Sequence, residues 1–102
     1  MIYKHHFLLL YNFIMQIIIY GVQNCSFCTK AKDYLDNLNI QYQYIDISHD
    51  KFQISNDLRS KRIIPRDWRT LPFNIINNNF IGGYQELETY ISINYIESVT
   101  DF

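Results

Sequence analysis

The sequence contains few of the small residues on which many folds depend. It has one alanine, three glycines, two prolines and two cysteines among 102 residues, and its formal net charge is only −1. The 48% hydrophobic residues exclude a disordered tail, and the three glycines exclude a collagen-like fibre. The near-zero charge gives no basic footprint for nucleic acid. We therefore expect one folded domain without a nucleic-acid partner.

A long hydrophobic run is also missing. The apolar stretch from Phe7 to Tyr11 is shorter than the roughly 20 residues of a membrane-spanning helix, and no small-residue cleavage site follows it. We expect a cytoplasmic protein that does not associate with membranes. A self-contained pattern begins at Met15, so the expected organisation is as follows: an extension or over-called start (1–14), one domain (15–97) and a C-terminal tail (98–102).

The abundant residues are 17 isoleucines, 10 asparagines and 9 tyrosines. Such a bias is typical of a low-GC coding sequence, as in a phage, a virus or an AT-rich cell. It indicates something about the source genome and nothing about chemistry.

The spacing of apolar residues alternates between that of strands and that of helices. A continuous branched run at Ile17–Tyr20 is typical of a buried strand. The next apolar residues recur at helical spacing, which predicts one buried stripe on a helix that ends near Asn37–Asn39. The members of this stripe are Phe27, Ala31, Tyr34, Leu35 and Leu38.

Further elements follow in the same way. Strands are predicted at Tyr42–Ile47, Phe73–Ile76 and Asn79–Ile81, a short helix around Phe52, Ile54 and Leu58, and a last helix that buries Leu87, Tyr90, Ile91 and Tyr95. Asn77-Asn78 suits a tight hairpin because asparagine tolerates positive φ. The order predicts an α/β fold with a four-stranded mixed sheet flanked by about three helices.

The two cysteines stand in Cys25-Ser26-Phe27-Cys28, where the first strand gives way to the first helix. Unpaired N–H groups and the helix dipole favour an anion at that point, which lowers the pKa of the Cys25 thiol. Cys28 lies one turn further in and suits the second nucleophile that resolves a mixed disulfide. The pair therefore indicates asymmetric thiol–disulfide chemistry.

Two structural alternatives remain for the same cysteines. Half of a zinc site is one, although a structural site needs four ligands and the only histidines are His5, His6 and His49. A structural disulfide is the other, although so short a loop constrains the unfolded chain little. We predict no bound metal.

Three motifs in this order resemble the glutaredoxin family: Cys25-Ser26-Phe27-Cys28, Thr70-Leu71-Pro72 and Gly82-Gly83. The resemblance covers about Gln16 to Ile96. It implies a thioredoxin-like, glutaredoxin-type fold, a cis Leu71-Pro72 bond beside the active disulfide, and glutathione as reductant. Leu71 would pair its backbone with the cysteine of glutathione, and the backbone of Tyr84 and Gln85 would hold the γ-glutamyl carboxylate at a helix N-terminus. The implied glutathione contacts are Phe27, Arg69, Thr70, Leu71, Pro72, Gly83, Tyr84 and Gln85.

The chain departs from the common family pattern at three positions. Ser26 and Phe27 stand where proline and tyrosine are most common, and some members with serine there bind a [2Fe-2S] cluster between two subunits. Val22 stands where many members have a lysine for a glutathione carboxylate. Arg69, and with it Arg66, could supply the replacement charge.

Those two arginines belong to a basic stretch in which Asp67 is the opposing charge. Its cations are Arg59, Lys61, Arg62, Arg66 and Arg69. A solvated basic face is the alternative interpretation. The neighbouring Trp68 either rims the substrate groove or covers the helix below it.

The function indicated is a glutathione-dependent dithiol–disulfide oxidoreductase with Cys25 as nucleophile. Its expected partners are glutathione and protein disulfides, with ribonucleotide reductase among the clients implied by the resemblance, and we expect a monomer. The alternatives are a thioredoxin-like hydrogen donor that a flavoprotein reductase reduces, favoured by Val22, and a [2Fe-2S] carrier, permitted by Ser26.

Overall fold

A computed structural model describes residues 15–96 of the chain. The elements in chain order are β1 (Ile17–Gly21), α1 (Ser26–Asn37), β2 (Gln43–Asp46), α2 (Lys51–Ser60), β3 (Phe73–Ile76), β4 (Asn79–Gly82) and α3 (Tyr84–Ile91), followed by a π-helical segment (Ser92–Ile96). The predictions for the extension, the tail and His5-His6 lie outside the described residues.

The four strands form one mixed sheet in the order β2-β1-β3-β4. β1 runs parallel to β2, and the β1/β3 and β3/β4 pairs are antiparallel. The βαβ crossover through α1 explains the parallel pair, because parallel neighbours need a long connection. The predicted fold class is confirmed.

Each face of the sheet carries its own apolar cluster. On one face, Ile19 of β1 packs with Leu35 of α1 and Leu87 of α3. On the other face, Phe73 and Ile75 of β3 cluster with residues that include Leu58 of α2. The sheet is therefore covered on both sides, which is why β1 is a continuous apolar run and β3 is apolar apart from Asn74.

Two aromatic residues that mark the predicted helices do not enter the core. Phe27, the first member of the α1 stripe, is 50% exposed, and Phe52 of α2 is 75% exposed. Both lie in the first turn of their helix, before the helix has crossed onto the sheet. The stripe prediction is wrong for Phe27, whereas Ala31 and Leu35 are fully buried as predicted.

The turns follow the chemistry of their residues. Asn77 and Asn78 join β3 to β4 with φ of 50° and 68°, as the hairpin prediction requires. Gly82 has φ of 129°, where side chains are disfavoured, and this bend leads into α3. The Leu71-Pro72 peptide bond is cis, as the resemblance implied.

One further prediction concerns membranes. Between residues 15 and 96, no helix combines the length and the apolar character needed to cross a bilayer.

Candidate active site

Cys25 is the N-cap residue of α1. β1 ends at Gly21, the chain turns through Asn24 with φ of 56°, and Cys25 adopts an extended conformation just before the helix. Its Sγ accepts a hydrogen bond from the Cys28 N–H at 3.2 Å. A sulfur atom thus takes the place that a serine or aspartate oxygen usually has at a helix start.

Cys25 and Cys28 form a disulfide, with their Cα atoms 5.2 Å apart. Cys28 is 1% exposed, whereas Cys25 is half-buried and can be reached from outside. The difference in exposure is the predicted one. An incoming thiolate or disulfide can therefore meet the sulfur of Cys25 more readily than that of Cys28.

The buried cysteine has a close neighbour in β1. A Cβ added at Gly21 would stand 2.8 Å from Cys28 Sγ and would also collide with the Tyr44 hydroxyl. Glycine is therefore required for close approach of the strand to the disulfide. The sequence offers no pattern that identifies this role of Gly21.

The Thr70-Leu71-Pro72 segment lies beside the disulfide. The Leu71 carbonyl oxygen is 4.0 Å from Cys25 Sγ. Trp68 supports the segment, because its indole N–H donates to the Thr70 carbonyl at 2.8 Å and its ring packs edge-on against Phe80. Trp68 lines a groove together with Thr70 and Leu71 and also packs against the apolar cluster that includes Leu58 of α2, so both interpretations of Trp68 stay open.

The turn before α3 is held by a residue that the sequence analysis missed. Asn74 of β3 is fully buried, and its side-chain amide donates to the Gly82 carbonyl at 2.9 Å and to the Gly83 carbonyl at 3.0 Å. Its Oδ1 is buried without a hydrogen-bond partner in the described part of the chain. The only sequence signal for this role is a polar residue inside a strand that is otherwise apolar.

Glu86 fixes the same turn from the helix side. Its Oε1 accepts a hydrogen bond from the Gly83 N–H at 2.8 Å, one residue before α3 begins. Glu86 therefore lies in the first turn of α3, near the positive end of the helix dipole. The N–H groups of Tyr84 and Gln85 belong to the first turn, where a helix supplies no partner of its own.

The two helix starts lie next to each other. The ring centroids of Phe27, in the first turn of α1, and Tyr84, at the start of α3, are 6.2 Å apart. Burial and the nearby Glu88 raise the pKa of the Tyr84 hydroxyl. The structure thus brings Phe27 and Tyr84, two predicted contact residues, to one side of the disulfide.

Arg69 and Arg66 are placed in different surroundings. The Arg69 guanidinium donates to the Arg66 carbonyl at 2.7 Å and to the Trp68 carbonyl at 3.0 Å, and it lines a groove that also reaches Thr70 and Leu71. Arg66 lines a second cavity of about 610 Å³, which shares Arg59 and Ile64 with that groove. Of these two arginines, only Arg69 borders the segment beside the disulfide.

A second missed residue is Lys32. It lines a cavity of about 480 Å³ together with Cys25, Cys28 and Val22. Its Nζ lies 4.1 Å from the centroid of the Tyr44 ring, which directs the ammonium group toward the cysteine side of the molecule. Lys32 lies outside the apolar stripe predicted for α1, and helical spacing alone does not show that β2 brings Tyr44 beside it.

Asp46 adds a negative charge to the same cavity. Two hydrogen bonds from Ser48, one from the hydroxyl at 2.5 Å and one from the N–H at 2.9 Å, lower the pKa of the Asp46 carboxyl. Val22 is half-buried and packs against the second apolar cluster. Within residues 15–96, no three His, Cys, Asp or Glu side chains are grouped closely enough to hold a metal ion.

A redox-active disulfide at a helix start, beside a cis-proline segment on a four-stranded mixed sheet, defines a thiol–disulfide oxidoreductase of the thioredoxin-like class. Comparison with known proteins narrows the class. The family model "Glutaredoxin" matches residues 17–81, and glutaredoxin 1 of Escherichia coli is 32% identical over 85 residues, which are 78% of this chain and 96% of that protein. The chain therefore belongs to the glutaredoxin family.

Solved structures agree with this assignment. Glutaredoxin 1 of Francisella tularensis superposes with a TM-score of 0.68 at 22% identity, over 78% of this chain and 94% of that one. A buckwheat glutaredoxin–glutathione complex superposes with a TM-score of 0.61 at 19% identity, over 96% of this chain and 91% of that one. At these identities the superpositions show a shared fold.

Proposed function

We propose that this protein uses glutathione to reduce protein disulfides and glutathione mixed disulfides. One observation carries the proposal: the accessible Cys25 caps α1 at a point where Phe27 lies 6.2 Å from Tyr84, at the start of α3. A nucleophilic sulfur and a second helix N-terminus suited to a carboxylate are thus adjacent. Glutathione is a thiol that carries two carboxylates and therefore fits both features.

The reaction on a glutathione mixed disulfide has two balanced steps. The Cys25 thiolate attacks the glutathione sulfur, a new Cys25–glutathione disulfide forms, the old disulfide breaks, and the client leaves as a thiolate. A second glutathione thiolate then attacks the glutathione sulfur of that intermediate. Oxidised glutathione is released and Cys25 is again a thiolate, so the net exchange consumes one free glutathione thiol, frees one client thiol and leaves the number of disulfide bonds unchanged.

A protein disulfide follows the dithiol route. Cys25 attacks one client sulfur, and the Cys28 thiolate then attacks Cys25, which gives the Cys25–Cys28 disulfide and a fully reduced client. Two glutathiones reduce that disulfide in turn. The N-terminus of α1 and the Cys28 N–H favour the thiolate of Cys25 and so lower the pKa of its thiol.

The ligand contacts proposed from the resemblance agree with the chemistry of the site. The Leu71 backbone lies 4.0 Å from Cys25 Sγ, where the cysteine of glutathione must sit during exchange. The first-turn N–H groups at Tyr84 and Gln85 suit the γ-glutamyl carboxylate. Glu86 adds one negative charge for the ammonium group of that residue, and Arg69 suits the glycine carboxylate.

The decisive experiment compares two electron donors on the full-length protein. A glutathionylated peptide is offered with glutathione, glutathione reductase and NADPH, and separately with thioredoxin reductase and NADPH. We expect turnover with glutathione. Turnover with thioredoxin reductase alone would contradict the proposal.

Arg69 can be tested in the same assay. Arg69→Ala should raise the KM for the glutathionylated peptide by about threefold to tenfold, since a charge-assisted hydrogen bond is worth about 1.5 kcal/mol or somewhat less when exposed. Arg62→Ala is the matched control, because Arg62 lines the second cavity with Arg66 and does not line the groove of Arg69. Equal KM values for the two variants would remove Arg69 from the glutathione site.

One observation favours a second candidate, a hydrogen donor that a flavoprotein reductase reduces. Val22 places an apolar side chain in the cavity beside the cysteines. Many members of the family it resembles have a lysine at this position, which binds a carboxylate of glutathione. The reductase arm of the experiment tests this candidate directly. As further proposals, we place the protein in the cytoplasm, or in the host cytoplasm if it is viral, as a monomer with ribonucleotide reductase among its clients.

A further inference from the structure

A groove beside the disulfide has an unusual distribution of charge. It has a volume of about 220 Å³, and we name it the cationic groove after its defining residues: Lys51, Phe52, Arg59, Trp68, Arg69 and Leu71. Three of its lining side chains are cationic and none is acidic. One end lies at Thr70-Leu71, and the Leu71 carbonyl is 4.0 Å from Cys25 Sγ.

The charges of the groove are not neutralised locally. Among residues 15–96, the ion pair within 4.0 Å joins Lys61 to Asp57 and lies outside the groove. Arg59 instead donates to the Asn56 side chain at 2.7 Å and to the Trp68 carbonyl at 3.0 Å. Arg69 likewise uses backbone carbonyls, so neutral acceptors fix both guanidinium groups while their positive charges stay uncompensated.

The charged residues of the groove belong to a segment of the chain in which positive charges outnumber negative ones. Residues 50–70 carry six lysines and arginines against three carboxylates, whereas the remaining described residues carry two against five. The near-zero net charge of the whole chain does not reveal this uneven distribution of charge. A client that reaches Cys25 across the groove therefore meets a local positive field.

The groove also offers apolar contact. Phe52 is 75% exposed, and Lys51 Nζ lies 5.0 Å from the centroid of its ring. Trp68 and Leu71 continue the apolar surface toward Cys25. A segment with both acidic and apolar side chains would be complementary to it.

We propose that the part of the cationic groove formed by Lys51, Phe52 and Arg59, next to the Arg69 assigned to glutathione, is a docking site for the client protein, and that it selects clients whose disulfide is flanked by an acidic segment with an apolar side chain. The proposal rests on the proposed function and specifies its substrate class. A protein segment is favoured over nucleic acid because the groove ends where the client disulfide must lie during exchange.

The test uses three peptides that differ only in their flanks. Each carries one glutathionylated cysteine with a nearby Phe and either two Asp, two Asn or two Lys residues, and glutathionylated free cysteine serves as the substrate without flanks. Rates are measured at about 0.15 M ionic strength, where the Debye length is about 8 Å. We expect kcat/KM to be about threefold to tenfold higher for the Asp peptide than for the Lys peptide.

Three variants locate the effect. Lys51→Glu should abolish the preference for the Asp peptide and leave the rate with glutathionylated cysteine within twofold of the wild type. Lys61→Glu, the matched control, makes the same charge change about 15 Å away along α2 and should keep the preference. Phe52→Ala should lower kcat/KM for the Asp peptide about twofold to fivefold, but not for a version with Gly in place of Phe.

The outcomes separate the docking proposal from the proposed function. Failure to turn over glutathionylated cysteine would overturn the proposed function itself. Normal turnover of that substrate with equal rates for the three peptides would overturn the docking site alone. Retention of a 12-nucleotide oligothymidylate that Lys51→Glu abolishes, without a peptide preference, would assign the groove to a polyphosphate chain and also overturn the proposal.

Discussion

The starts of α1 and α3 use the same physical chemistry for different ends. Each presents the unpaired N–H groups and the positive dipole end of a helix at one side of the molecule. At α1 the chain supplies the anion itself, because Cys25 caps the helix with sulfur. At α3 the cap is Gly83, which has no side chain to offer, so the site suits the carboxylate of a ligand.

The two starts also differ in what holds them in place. Cys25 receives its hydrogen bond from Cys28, three residues away. The turn at Gly82-Gly83 depends on Asn74, which is eight and nine residues away on another strand. The N-cap sulfur of α1 is therefore held locally, whereas the proposed ligand site at α3 is held by tertiary structure, and the following predictions test that difference.

The largest effect is expected at the local site. Cys25→Ser should reduce all exchange activity to the uncatalysed rate, because it removes the accessible sulfur that attacks every substrate. Cys28→Ser should keep glutathione-dependent deglutathionylation, which needs one cysteine, and lose the dithiol reduction of protein disulfides. The measurement is turnover of a glutathionylated peptide and of a protein disulfide by each variant.

The alkylation of the reduced protein by iodoacetamide gives an independent control. Cys25 should react faster than Cys28 below pH 8, since it is the more exposed sulfur and its thiolate is favoured at the helix start. The nucleophile assignment is wrong if Cys25→Ser keeps its activity while Cys28→Ser loses it.

The second effect is expected at the long-range site. Asn74→Leu should raise the KM for glutathionylated peptide about threefold to tenfold while kcat changes less than twofold, because the Gly82 and Gly83 carbonyls lose their donor and the turn shifts. The unfolding free energy should fall by about 1–3 kcal/mol, because two hydrogen bonds with a net value of about 0.5–1.5 kcal/mol each are lost. Steady-state kinetics and urea denaturation provide the two measurements.

Ile75→Val is the matched control for that variant. It trims the next residue of β3, which faces the other apolar cluster, and should cost about 0.5–1.5 kcal/mol in stability. Its KM should stay at the wild-type value. If the two variants raise KM equally, Asn74 acts through stability and does not position the turn.

This contrast also explains how much could be predicted from the sequence. The order of helices and strands, the hairpin and the Cys25–Cys28 pair depend on residues close in sequence, and their spacing is sufficient to predict them. Asn74 and Lys32 act on residues from other elements, Gly82 and Tyr44, so no local pattern identifies them. Phe27 fits the helical stripe, yet it lies one turn before the sheet and is half exposed.

A smaller effect is expected when the charge of Glu86 is removed and its hydrogen bond is kept. Glu86→Gln can still accept from the Gly83 N–H, so the turn should persist. The lost interaction with the helix dipole should lower the unfolding free energy by about 0.3–1 kcal/mol. The KM for glutathionylated peptide should rise about twofold to threefold if the carboxylate meets the glutathione ammonium group.

Glu88→Gln is the corresponding control one half-turn further along α3. Glu88 accepts from the Tyr84 hydroxyl at 3.4 Å and lies beyond the first turn. Removing the charge of Glu88 should leave the KM for glutathionylated peptide unchanged. It should also lower the raised pKa of Tyr84, which is measured by ultraviolet titration of tyrosine. A KM that responds equally to both variants would argue against a specific role for Glu86.

The smallest effect is expected at the C-terminal end of α1. This end is a reference for both helix starts, because it is not part of either one. Tyr42 donates to Asp36 at 2.9 Å, and burial together with this carboxylate raises the pKa of Tyr42 to about 12. Tyr42→Phe removes this exposed hydrogen bond, which contributes about 0.5 kcal/mol, and should leave the KM for glutathionylated peptide unchanged.

The sign of the pH dependence follows from the raised pKa of Tyr42. The folded state favours the protonated hydroxyl, so its stabilisation is complete below pH 10 and disappears as the pH rises through about 12. Urea denaturation should therefore show the wild type losing its advantage over Tyr42→Phe between pH 10 and 12. Parallel stability curves across that interval would mean that the Asp36–Tyr42 hydrogen bond does not stabilise the fold. The position of α1 would then depend on its buried residues Ala31 and Leu35 and not on its C-terminal end.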